Sequence, residues 1–215
     1  MKYLSFRTSA SVLLLSVCLN ACAPILVAGF AGSAMVVSDR RTPGTQLEDE
    51  TIELRGSARV RDNLGEKAHV NVTSYNRQVL LTGEVPTERD KQLVVGLVEK
   101  VENVKSVVNE LAVMQPTSIS SRSNDLVVTG KIKASLVDSR DLFSNAFKIV
   151  TERNTVYVLG RVTQREANSA TNVIRNVGGV NKVVRLFEII SEEELSNMLP
   201  PPPPADKPAA DKAKK

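Results

Sequence analysis

The residue with the most specific chemical setting is Cys22, which closes the run Leu19-Asn20-Ala21-Cys22. Behind it lie a basic start (Lys2, Arg7) and an apolar stretch from Ser11 to Leu19. A thiol so placed is the acceptor for diacylglycerol, and the small Ala21 gives a signal peptidase room to cut. Asn20 is a more polar neighbour than such sites usually carry. Cys18 is the rival, but Val17 before it is a poor cleavage residue. Residues 1–21 therefore read as a lipoprotein signal peptide and Cys22 as the lipid anchor. Cleavage leaves the apolar run too short to span a bilayer, and Ala23 to Val37 falls short of the ~20 apolar positions that a spanning helix needs.

With Cys18 removed and Cys22 acylated, the folded part has no disulfide, no thiol nucleophile and no cysteine metal site. His69 is the only histidine, and it sits at the edge of an expected strand. No second histidine or grouped carboxylates are spaced around it as a metal requires, so the reading is structural, with no metal and no cofactor. A hydrolase would have to be built on His69, and no Gly-x-Ser-x-Gly elbow accompanies it. Gly29 to Gly32 lacks the Lys-Ser/Thr that completes a phosphate loop, and Gly178-Gly179 ends a helix rather than opening one. The chain is not expected to be an enzyme.

A different chemistry is written between Asp125 and Val137. Val128, Ile132 and Leu136 recur every four residues and form the buried face of a helix, which leaves Leu126, Val127, Lys131, Lys133 and Val137 nearer solvent. Apolar residues beside lysines on an outward face suit acyl chains below and anionic headgroups around, each lysine contributing about 1 kcal/mol near such a surface. The plain alternative is a solvated face carrying two lysines. Net charge fits the first reading: +4 for all 215 residues, it drops to +2 once Lys2 and Arg7 leave with the signal. With aromatics at 4% in an exported chain, nucleic acid is not an expected partner.

The elements that position this helix occur twice. Val70 and Val72, a turn at Asn76-Arg77, then Val79, Leu81, Gly83 and Val85 give a hairpin. Phe147 and Ile149, a turn at Arg153-Asn154, then Val156, Val158, Gly160 and Val162 repeat it. Thr87 with Asp90, and Thr163 with Glu166, cap a following helix, and Val104 to Val113 or Val183 to Ile190 supplies a third strand. Ile52, Gly56 and Val60 after Asp49 match Val128, Ile132 and Leu136 after Asp125, so a helix precedes each hairpin. At roughly 65 residues each, the units are small enough to need one another's surface.

With "VLLTGEV" and "VYVLGRV" each leading into a capped helix and then "VKSVVNEL" or "VNKVVRLF", each unit resembles the BON domain. Two of them behind a lipid-anchoring signal resemble the dual BON-domain outer-membrane lipoproteins, the DolP-like family. The resemblance implies an α+β fold of two tandem BON domains, each α-β-β-α-β with a three-stranded mixed sheet packed on two helices. The expected layout is an acylated Cys22 and tether over 22–46, BON domain 1 over 47–115, BON domain 2 over 124–190, and a short helix and disordered Pro/Lys-rich tail over 191–215. Ala23, where aspartate would mark inner-membrane retention, implies the outer membrane by likeness to the lipoprotein sorting pattern, with the body on the periplasmic face.

The resemblance also implies a role. The second domain of such proteins binds anionic phospholipid through its first helix and supports envelope integrity. Asp125, Lys131 and Ile132 match that helix, Lys133 keeps its charge and Val137 its apolar character. Val127 stands where a family member has tryptophan, which implies either weaker lipid affinity or an interfacial anchor supplied by Leu126 and Leu142-Phe143 instead. The alternative is an adaptor of the outer-membrane assembly or division machinery, using the first domain and the proline tail, with incidental lipid contact. No oligomeric state follows from these residues.

Overall fold

The computed structural model describes residues 39–139 and 141–198. The expected signal peptide, Cys22, most of the expected tether and the tail from Leu199 lie outside the described residues. The first unit runs α1 (Pro43–Leu64), β1 (His69–Tyr75), β2 (Gln78–Val85), α2 (Glu88–Glu99), β3 (Ser106–Asn109) and β4 (Ala112–Val113). The second runs α3 (Ile119–Asp138), β5 (Lys148–Glu152), β6 (Thr155–Thr163), α4 (Gln164–Arg175) and β7 (Lys182–Ile190), and α5 (Glu192–Met198) follows. In each unit an antiparallel hairpin is joined by a third strand running parallel to its second, so both sheets are mixed. β7 is continuous. Its counterpart breaks into β3 and β4 where the Asn109 side chain accepts the Leu111 N–H at 3.1 Å.

Two boundaries differ from the sequence reading. α1 starts at Pro43, inside the stretch assigned to the tether, because Thr42 accepts the Thr45 N–H at its N-cap and proline needs no N–H partner in a first turn. α3 starts at Ile119 rather than Asp125, capped by Ser118, so most of the join expected over Gln115 to Asn124 is helix.

The hairpin turns explain why both helices carry an aspartate one turn before the first core residue. Asn76 and Arg77, and again Arg153 and Asn154, have φ between 49 and 66°, the left-handed conformation that a two-residue turn demands. No glycine relieves them. Instead, the Asp49 carboxylate accepts the Asn76 and Arg77 N–H groups, both at 2.8 Å, and Asp125 accepts those of Arg153 and Asn154, both at 2.9 Å. Each helix thus clamps its own hairpin through a buried carboxylate. Glycine is required instead at Gly83 and Gly160, where a Cβ would lie 2.0 Å from the His69 carbonyl oxygen and 2.6 Å from that of Ala146.

Strand alternation builds three cores. Val79, Leu81 and Val85 of β2 face α1 and α2 with Ile52, Val60, Val94 and Val98. Val156, Val158 and Val162 of β6 face α3 and α4 with Val128, Ile132, Leu136 and Ile174. The intervening residues, Leu80 on β2 and Tyr157 and Leu159 on β6, meet one another and Tyr75. The sheets therefore pack back to back under helices on either side, and "VLL" and "VYVL" are continuous apolar runs because both faces of those strands are buried. Leu80 and Leu159 are fully buried, each contributing roughly 1.5–3 kcal/mol relative to exposure.

Charged groups fasten the rim of this contact. Lys148 pairs with Glu53, and Arg153 reaches both Glu84 and the Gly83 carbonyl. Ahead of α1, Arg40 is buried: its two terminal nitrogens meet the two oxygens of Glu166 at 2.8 and 2.6 Å, and it also donates to the Arg161 carbonyl. Arg41 turns the other way, pairing with Asp49 at 2.8 Å and lying over the Tyr75 ring. Consecutive arginines thus hold the two units from one segment.

Candidate functional site

The five residues singled out by sequence all lie on the outer face of α3, since Asp125, Val128, Ile132 and Leu136 fill its inner face. Leu126 is 73% exposed, Val127 56% and Val137 66%, with Lys131 and Lys133 exposed as well. At 3.6 residues per turn, Ile119, Leu126, Gly130 and Val137 fall nearly on one line. Val127 and Ala134 lie beside that line. Lys131 marks one edge of the strip and Lys133 the other. The apolar strip runs from Ile119 to Val137, about 27 Å at 1.5 Å per residue.

Its electrostatics are one-sided. The helix carries two aspartates, of which Asp125 is buried on the hairpin turn and Asp138 stands at the last position. Neither Lys131 nor Lys133 is paired with a carboxylate among the described residues. Such a face offers an apolar ridge to something greasy and two cations to something anionic, without a like-for-like acidic partner of its own.

Sequence reasoning missed Ile119, the most exposed large apolar side chain of the helix at 81%. The signal was present: Ser118 before an apolar residue is an N-cap pattern. Of the pair offered as a substitute anchor, Phe143 is half exposed, whereas Leu142 is buried in the core with Ala146 and Phe147. Leu142 is thereby removed from the outer surface, because the turn after α3 tucks it under the helix end.

A second feature lies beside α3. A cleft of about 410 Å³ runs between β1 of the first unit and α3 and β5 of the second, lined by His69, Asn71, Arg122, Leu126, Lys133 and Glu152 among others. His69 Nδ1 stands 3.0 Å from Glu84 Oε2, and no serine, threonine or cysteine bonds to its ring among the described residues. That arrangement has no nucleophile–base pair. No local spacing sets carboxylates beside His69, yet the fold brings Glu84 and Glu152 to it, from 15 and 83 residues away along the chain. Burial pushes the Glu84 carboxyl up, but the Thr117 N–H, His69 and Arg153 outweigh this and hold it below its ordinary value. Burial raises the carboxyl of Glu152 above its ordinary value, against the opposing pull of His69 and of the Asn71 hydrogen bond.

No helix among the described residues is long and apolar enough to cross a membrane. A family model, that of the BON domain, matches residues 49–115 and 124–191. Outer membrane lipoprotein DolP of Haemophilus influenzae is 35% identical over 174 residues, covering 80% of this chain and 90% of that protein. The 21 kDa hemolysin of Actinobacillus pleuropneumoniae is 32% identical over 154 residues, covering 71% and 79%. Among solved structures, CdsD, a structural protein of the type III secretion system of Chlamydia trachomatis, matches 66% of this chain and 96% of its own at 13% identity. Its TM-score of 0.29 is too low to carry an argument.

Proposed function

This chain belongs to the BON-domain family as a tandem, DolP-like member, and on that premise we propose that it is an outer-membrane lipoprotein whose second domain lies on anionic phospholipid. Cys22 carries the acyl anchor, the domains face the periplasm, and the molecule supports envelope integrity from that position. Leu126, Val127 and Val137, joined by Ile119, enter the acyl boundary, and Lys131 and Lys133 extend from either side to the phosphates. The observation that supports this most is the outer face of α3, an exposed apolar strip with a cation at each edge and its acidic residue either buried or terminal. The 35% identical relative carrying the name outer membrane lipoprotein supports the location.

The reading is tested by flotation of the unacylated chain with vesicles of phosphatidylglycerol and phosphatidylcholine, so that only the protein surface can bind. Replacing Lys131 and Lys133 by glutamate removes about 2 kcal/mol of attraction, so affinity for the anionic vesicles should fall at least about 30-fold. Neutral vesicles should be bound weakly by both proteins. Equal binding of the double variant and the parent to anionic vesicles rejects the surface.

A further inference from the structure

We propose that His69, Glu84 and Glu152 form a binding site for one divalent transition-metal ion, zinc by ligand chemistry, that joins the two BON domains. The three side chains come from β1, β2 and β5, and each offers one ligand atom within 4.8 Å of the other two. Tetrahedral zinc with ligands at 2.0–2.2 Å keeps them about 3.3–3.5 Å apart. His69 Nδ1 and Glu84 Oε2 stand at 3.0 Å on a hydrogen bond that the ion would replace, opening them by a few tenths of an ångström while Glu152 turns in.

The surroundings supply what a metal site needs beyond its ligands. Glu84 and Glu152 are 0 and 5% exposed, so this is not a solvated acidic patch. Arg153 occupies Glu84 Oε1, and Oε2 accepts the Thr117 N–H at 3.1 Å and the Thr117 hydroxyl at 3.3 Å beside His69, so the ion would replace the His69 contact at Oε2. Asn71 Nδ2 bonds to Glu152 Oε1 and is the one donor to that carboxylate among the described residues. Donors that orient the ligands in this way are the usual second layer of a built site.

Three carboxylates, Glu84, Glu152 and Asp125, gather here, with Arg153 on Glu84 and Arg122 and Lys133 on the cleft wall. His69 and Glu152 both line the cleft beside α3, which gives the ion its path in and leaves the fourth position for water. Imidazole with two carboxylates selects among the later divalent metals rather than calcium or magnesium.

The test is calorimetric titration of zinc chloride into the mature chain in detergent, with thermal unfolding followed at the same zinc concentrations. One saturable equivalent and a zinc-dependent rise in Tm are expected. Both should be lost in Glu152→Gln, which keeps the Asn71 contact and so unfolds without zinc at or above the parent temperature, and also in His69→Ala. Cobalt(II) should give the intense visible bands of a tetrahedral site in the parent alone. No saturable heat in the parent, or unchanged zinc binding in Glu152→Gln, overturns the proposal. The Lys131/Lys133 variant should bind zinc as the parent does, so failure of the lipid reading would leave this result intact.

Discussion

α1 and α3 are the same helix written twice, and their inner and outer faces have parted company. Inside, Asp49, Ile52, Gly56 and Val60 stand where Asp125, Val128, Ile132 and Leu136 stand, each set buried, each aspartate on a hairpin turn. Outside, α3 presents Leu126, Val127, Gly130, Lys131, Lys133 and Val137 where α1 presents Glu50, Thr51, Leu54, Arg55, Ser57 and Arg61. The α1 face mixes both signs of charge, and its Arg55 is engaged with Glu102. Packing constrains the inner positions in both copies and leaves the outer ones unconstrained, and of the two only α3 carries an exposed apolar strip edged by lysines that are unpaired among the described residues.

The largest expected effects test the shared half. Asp49→Ala and Asp125→Ala should each destabilise by about 2–3 kcal/mol in denaturant unfolding, since each strands two turn N–H groups and their left-handed residues. Asp49→Ala should be the worse, because Ser74 Oγ and Arg41 also bind that carboxylate. Burial pushes the Asp49 carboxyl up, but these hydrogen bonds outweigh it and hold the group below its ordinary value. Its contribution is therefore complete above the unfolded pKa of about 4 and lost as pH falls through the folded value. The Asp49→Ala penalty should shrink in acid, and a penalty independent of pH would count against this account.

Next comes the half that differs. Arg55 and Arg61 changed to glutamate should leave vesicle flotation within about twofold of the parent, against the loss of about 30-fold or more from the lysines of α3. If the two pairs behave alike, overall charge is responsible and the helix faces are equivalent. Smaller still, Val127→Trp should strengthen binding several-fold to the same vesicles, since indole favours the interface. The finest contrast is between glycines. Gly130 faces open space, so Gly130→Ala should stabilise by about 1 kcal/mol. Gly56→Ala should gain nothing, its new Cβ lying 3.0 Å from Val72 Cγ1.

The helix faces were legible because each core repeats every four residues within one element, and the hairpins because their valines alternate beside a polar turn. The start of α1 was also legible, since Thr42-Pro43 is a cap followed by a first-turn proline, but the nearby glycine and basic pair drew the reading toward a tether. The contacts between domains were not legible. Arg153 and Glu84 are 69 residues apart, and Arg40 and Glu166 are 126 apart, and no local pattern encodes which distant charge a side chain will find. The same holds for the surroundings of His69: its neighbours come from β2 and β5, so the cluster exists only once the two sheets have packed.

The arginines at 40 and 41 bear on mechanics. The 18 peptide steps from Cys22 to Arg40 extend at most about 60 Å, so an acylated Cys22 would keep the domains within that radius of the bilayer. Because Arg40 grips the second domain and Arg41 the first, any pull on the lipid end divides between both rather than peeling one away. The pair would then turn as one body, and the face it presents to a membrane would be chosen by α3.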